Sequence, residues 1–188
     1  MGELNQHDLS LFDANIFIET GTGKGVGLQH ARQFPFKAIH TIEIIPELHE
    51  IAKTAMSDER VTFHLGHSVE ILEKILPSIA KEDKILFWLD AHFPGVDFGL
   101  GTGGYVYDEN NIPSDRELKT IKKLRPDSKD SIILDDLRLY ENGAYQLGDL
   151  DIGKPKSGIK FVEDLFAETH VIRRDYRHQG FLIIIPKN

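Results

Sequence analysis

The sequence predicts an α/β protein whose mostly parallel sheet is closed by a C-terminal antiparallel hairpin. Three observations carry this. Short β-branched or aromatic runs alternate with stretches of helical period, as strand–helix–strand units require. The last two runs, "THVIRRD" and "FLIIIP", are separated only by "YRHQG", which is too short for a crossover helix, so these strands must pair antiparallel. Near the start, an apolar run ends in a carboxylate and then carries a glycine at every second position, "FIETGTGKGVG" (Phe17–Gly27). Glycines at that density bring backbone close to a ligand.

The elements follow in order. Strands are predicted at Ile16–Glu19, Ala38–Glu43, Val61–Leu65, Ile85–Asp90 and Ser131–Leu134, and helices at Val26–Gln33, Pro46–Met56, Ser68–Ala80 and Ser114–Leu124. Pro46 suits a first helical turn, and Ser68 is a candidate N-cap ahead of "VEILEKIL". A helix around Gly158–Glu168 precedes the terminal hairpin. At 188 residues, with 40% hydrophobic and 28% charged residues, one domain over residues 1–188 is the simplest expectation.

Composition also narrows the function classes. There is no cysteine, which excludes disulfides, thiolate catalysis and Cys-ligated zinc. The net charge of −8 disfavours a nucleic-acid partner, because the only basic clusters are "KKLRP" and "RRDYRH". A small neutral or cationic molecule is the better-matched substrate. No apolar run approaches the roughly 18 residues that span a bilayer, and "MGELNQHDLS" lacks the features of a signal peptide. The expectation is a cytoplasmic protein without membrane contact. Oligomeric state is open, a homodimer being one expectation.

The glycine run admits three readings. A P-loop needs a glycine where Ile18 stands and a Ser or Thr where Gly25 stands. A dinucleotide fingerprint, G-x-G-x-x-G, would need glycine at Val26 or Leu28. What remains is an acid, a spacer and alternating glycines: Glu19, Gly21, Gly23 and Gly25, with Thr22 between the first two. A carboxylate at that strand end repels phosphate but accepts hydrogen bonds from a cationic amino group. The second strand ends in Glu43, 24 residues on, placed to take both hydroxyls of a ribose, with Ile44 beside it to pack on a purine face.

Glu19 with Gly21, Gly23 and Gly25 resembles the first motif of the class I S-adenosylmethionine-dependent methyltransferases. The resemblance implies a Rossmann-like α/β sandwich with a seven-stranded, mostly parallel sheet of order 3-2-1-4-5-7-6. It also implies S-adenosylmethionine as cofactor. After strand three, "LGHS" (Leu65–Ser68) stands where many of these enzymes carry Gly-Asp-Ser, so His67 and Ser68 take the adenine position. His67 departs from the pattern; a neutral imidazole can accept one hydrogen bond or stack, and an exposed loop histidine is the competing reading.

Strand four, "ILFWL", delivers Asp90, and strand five delivers Asp135 and Asp136. In open parallel sheets ligands bind beyond the carboxyl ends of the strands. Carboxylates crowded there need protons or a cation, and an all-oxygen set suits Mg²⁺, or Mn²⁺ or Ca²⁺. Asp90, Asp135 and Asp136 are therefore candidate metal ligands, with Asp90 also bordering the cofactor. This pattern resembles the metal-dependent sugar O-methyltransferases related to macrocin O-methyltransferase, and "FWLDAH…LDDLRLY" resembles small bacterial and viral class I methyltransferases. The resemblance covers about Phe17 to Tyr140.

His92, two residues past Asp90, is a candidate general base, or else a metal ligand or orienting group. Asp90 and Asp135 would share catalysis by binding the acceptor through the metal. Residues 93–115 form a 23-residue stretch with five glycines and no period, read as a lid or as a surface insertion. Arg138 can steer an acidic group or pair with Asp136, and Glu117 can reach the acidic rim or simply charge a helix start.

The expected activity is methyl transfer from S-adenosylmethionine to a hydroxyl of a small-molecule acceptor, a sugar among the candidates. A non-catalytic nucleoside-binding module and a metal-dependent hydrolase are the rival readings. An NAD oxidoreductase ranks last for want of its fingerprint.

Overall fold

The computed structural model describes residues 3–100, 112–153 and 155–187. Their strands are β1 (Ile16–Thr20), β2 (Ala38–Glu43), β3 (Val61–Leu65), β4 (Ile85–Leu89), β5 (Ser131–Leu134), β6 (His170–Asp175) and β7 (Phe181–Pro186). They make one sheet of order β3-β2-β1-β4-β5-β7-β6. β1 to β5 pair in parallel, while β7 inserts antiparallel between β5 and β6. The order and the terminal hairpin match those expected.

The central strands form because their apolar runs have somewhere to go on both sides. β1, β4 and β5 are buried at every position. One face packs Ile18, Phe87, Ile132 and Leu182 against the helices, and the other packs Phe17, Leu86, Trp88 and Phe181. Burying each such side chain contributes about 2–3 kcal/mol. The edges are guarded differently. β6 carries Arg173 and Arg174 at a solvent-facing edge, charges that disfavour pairing with another sheet.

Helices α1 (Val26–Ala31), α2 (Pro46–Thr54), α3 (Ser68–Ile75), α4 (Ser114–Leu124) and α5 (Lys160–Phe166) connect the strands. Four are shorter than their sequence patterns suggest. α3 gives way to a 3-10 turn over Leu76–Ser78, because Pro77 cannot continue the backbone ladder. Its cap also differs: His67, not Ser68, is the N-cap and accepts from the Val69 N–H. α4 matches its prediction, with Asp115 and Glu117 in the first turn and Lys122 and Lys123 in the last, complementing the helix dipole.

Parallel registers bring the strand ends level. Glu19 lies opposite Thr41 on β2 and Trp88 on β4, and Leu89 lies opposite Leu134 on β5. Glu19, Glu43, Asp90 and Asp135 therefore arrive at one end of the sheet. No helix among the described residues is long and apolar enough to cross a membrane.

Candidate functional site

A cleft opens over this end of the sheet, lined on one side by Glu19, the glycine loop and Glu43, and on the other by Asp90, His92 and Phe98. Glu19 is 1% exposed, and the Thr41 hydroxyl donates to its Oε2 at 2.6 Å. Thr41 in turn meets the Thr22 hydroxyl at 2.5 Å. Burial pushes the Glu19 carboxyl up to about 8, the Thr41 bond opposing it.

The loop after β1 is shaped by its glycines. Gly21, Gly23 and Gly25 all have positive φ, of 83°, 54° and 81°. At Gly21 a Cβ would stand 2.4 Å from the Asp90 carbonyl oxygen, so the loop closes directly on the end of β4. Gly27 is a site residue that the motif alone does not single out, yet a Cβ there would lie 2.2 Å from Glu19 Oε1. Its signal is visible in the sequence: it continues the every-second-position run.

Glu43 is held as its sequence position suggests. Its Oε2 accepts from the Gly23 N–H at 2.8 Å, and its Oε1 from the Ile44 and Ile45 N–H groups at 2.8 and 2.9 Å. Burial raises its pKa and these three donors oppose the rise. Beside it Ile44 is 42% exposed, an apolar surface facing the cleft.

His67 is committed elsewhere. Its Nδ1 accepts from the Val69 N–H at 3.3 Å, and its Nε2 lies 3.2 Å from the Arg116 guanidinium. A neutral imidazole has a single acceptor, so two donors already compete for it. Burial lowers its pKa, which keeps the ring neutral. Ser68, 6% exposed, borders the cleft at the start of α3.

At the other wall the Asp90 and Asp135 carboxyls hydrogen-bond each other, and burial with the neighbouring charge holds Asp90 well above the usual range. Burial also raises Asp135, against the pull of His92. Two acids this close share a proton unless a cation replaces it. Gln179, from the β6–β7 turn, donates to both Asp135 oxygens at 3.2 and 3.1 Å. Nothing in the sequence marks Gln179, which lies 44 residues from its partner.

His92 stands between carboxylates, with Nδ1 3.3 Å from Asp90 and Nε2 3.8 Å from Asp136. Asp90, His92 and Asp135 each offer a ligand atom, all within 4.8 Å of one another. Asp136 turns away into a left-handed backbone, φ 52° and ψ 59°, and takes a two-point bond from Arg138 at 2.9 and 3.2 Å. Arg138 thus pairs with Asp136.

Glu117 does not reach the acidic rim. Its buried oxygens face the buried Thr20 and Ser68 hydroxyls instead. Burial pushes this carboxyl up to about 7, with the two nearby hydroxyls opposing. Of residues 93–115, positions 101–111 lie outside the described residues. Within the described part, a short turn at Val96–Phe98 puts the Phe98 ring over Gly23.

No protein-family profile matches the sequence, and no curated protein matches it. Solved structures do match. A provisionally assigned caffeoyl-CoA O-methyltransferase from Staphylococcus aureus superposes with TM-score 0.60 at 16% identity, covering 95% of this chain and 79% of that one. The O-methyltransferase TomG from Streptomyces achromogenes, solved with S-adenosylmethionine, gives 0.56 at 18% identity over 96% and 76%. An O-methyltransferase from Bacillus cereus, solved with S-adenosylhomocysteine, gives 0.58 at 14% identity over 95% and 77%.

This chain has the class I methyltransferase fold. The solved neighbours from Streptomyces achromogenes and Bacillus cereus hold S-adenosylmethionine or S-adenosylhomocysteine, a nucleoside with a zwitterionic amino-acid arm. The residues that such a molecule would meet here are a glycine loop in which a Cβ at Gly21 would overlap the Asp90 carbonyl, the buried Glu19 carboxyl, and Glu43 fixed by three N–H donors.

Proposed function

We propose that the protein is an S-adenosylmethionine-dependent methyltransferase acting on a hydroxyl of a small-molecule acceptor, with a sugar as one candidate class. One observation carries the reading: Glu19 ends β1 beneath a glycine loop that seals against the Asp90 carbonyl, on a cleft continuous from Glu43 to His92. S-adenosylmethionine supplies an activated methyl group on a sulfonium. What the chain itself must do is align the acceptor and remove its proton.

In this reading Glu19 takes the ammonium, Gly21, Thr22, Gly23 and Gly25 pass beneath the methionyl arm, and Glu43 takes the ribose hydroxyls. Ile44 packs on the adenine, Ser68 and His67 border it, and Asp90 separates cofactor from acceptor. His67, already facing two donors, contributes a ring face instead of an acceptor. Residues 93–100 serve as the described part of a lid.

For the metal, the geometry favours Asp90, His92 and Asp135 over Asp136, which Arg138 already occupies. A set with one imidazole admits Mn²⁺ as readily as Mg²⁺. The ion would acidify a bound hydroxyl. The alternative to ligation, His92 as general base, is favoured by Asp136 lying 3.8 Å from its Nε2, where a carboxylate stabilises an imidazolium; the two roles exclude each other.

Two measurements test this. Calorimetry with S-adenosylhomocysteine should give a one-site isotherm, and its absence would refute the cofactor. Transfer of labelled methyl to a hydroxyl-acceptor panel should need Mn²⁺ or Mg²⁺ and should fall at least ~100-fold in Asp135→Asn. Transfer unchanged by that substitution and by chelator would remove the metal from the mechanism.

A further inference from the structure

Lys24 sits between Gly23 and Gly25, and none of the cofactor contacts proposed above uses it. Its Nζ stands 5.2 Å from the centroid of the Phe98 ring. The same ring packs on Gly23, where a Cβ would approach it to 3.0 Å. Phe98 is fixed there by a single turn, Val96–Phe98, flanked by Gly95 and Gly99 in left-handed conformations. An ammonium is thereby held over an aromatic face that attracts cations, beside Gly23 and Phe98, which both line the cleft.

The cleft needs such a charge. Among its described lining residues are four carboxyls, Glu19, Glu43, Asp90 and Asp97, and no lysine or arginine. That lining suits the ammonium and sulfonium of S-adenosylmethionine. With no lysine or arginine in it, that lining offers no counter-charge to the carboxylate borne on the same carbon as the ammonium. With the ribose on Glu43 and the sulfonium facing Asp90, the methionyl arm would pass Glu19 and the glycine loop. The basic residue of that loop within reach of such a carboxylate would be Lys24. Arg116, another cation close by, is at the far end beside His67.

We propose that Lys24, held ready by the Phe98 ring, is the counter-charge for the methionyl carboxylate of bound S-adenosylmethionine. The inference rests on the cofactor reading above, and it places the only basic side chain of the Gly21–Gly27 loop in the binding site. It also gives the described part of the lid a second role, since Phe98 positions a charge as well as covering the loop.

The experiment is calorimetric titration of the full chain with two ligands, S-adenosylmethionine and its decarboxylated analogue. Both carry the sulfonium and the amine, and they differ in the carboxylate alone. Lys24→Gln should weaken S-adenosylmethionine binding by roughly fivefold, as expected for a partly exposed charge pair. It should leave binding of the analogue unchanged, and Lys24→Arg should restore most of the loss. Melting temperature should not move, because Lys24 is exposed. Equal losses for both ligands, or no loss for either, would overturn the proposal. A wild-type chain that binds neither ligand would overturn the cofactor reading and this inference together.

Discussion

Replacing Glu19 by Gln removes the titrating proton at the end of β1 while keeping the shape of the side chain. The wild-type carboxyl is raised from 4.5 to about 8 by burial. Between those values the folded chain holds a proton that the unfolded chain has released. Its contribution to stability is therefore full below pH 4.5 and is lost as pH climbs toward 8. At about 1.4 kcal/mol per pKa unit, the loss between pH 5 and pH 8 is on the order of 3 kcal/mol. For a chain of this length that is a difference of about 6–12 °C in melting temperature. Glu19→Gln lacks this contribution, so the variant should melt near wild type at pH 5 and above it at pH 8. The ligand should respond in the opposite sense. Wild-type affinity for S-adenosylmethionine should climb from pH 6 to pH 8 as the carboxyl ionises against the ammonium, whereas the variant should bind weakly and without that slope. Thermal melts from pH 5 to pH 8 and calorimetry at both ends measure this. Parallel melting curves, or full affinity in the variant at pH 8, would refute the reasoning.

Gly21→Ala combines a left-handed φ of 83° with a Cβ 2.4 Å from the Asp90 carbonyl oxygen. The strain and overlap should cost roughly 2–5 kcal/mol, seen as a lower melting temperature that S-adenosylhomocysteine fails to raise. Gln179→Leu removes two donors from Asp135, each of which favours its ionised form. The Asp135 pKa should rise, moving the acid limb of the pH–rate profile upward, while cofactor affinity measured by calorimetry stays put. Glu43→Gln should weaken cofactor binding at least ~10-fold, because an amide presents one acceptor oxygen where the carboxylate has two.

The strands were legible because their surroundings are simple. Five apolar residues in "ILFWL" can only be a strand buried on both faces, and such runs carry their own boundaries. Glu19 and Glu43 were legible for a related reason: an acid at the end of a buried run has nowhere to be except the sheet's rim. What the sequence hid was pairing between distant or competing partners. Asp135 and Asp136 are adjacent and chemically alike, yet a left-handed turn sends one to Gln179 and Asp90 and the other to Arg138. His67 and Ser68 compete for one cap, and geometry chose the imidazole. Glu117 has the spacing of a rim acid, but its helix points it at Thr20 and Ser68.

Gln179 gives the site a direction in time. The proposed cofactor half, from Glu19 to Ser68, is encoded before β4 begins, and its parallel strands β1, β2 and β3 pair in register among themselves. Asp135 is oriented only when the β6–β7 turn has folded back across β5. During synthesis, then, the Glu19–Ser68 stretch precedes Gln179 by more than a hundred residues of chain. On the reading proposed above, the last hairpin to be made is the one that completes the acceptor side of the cleft.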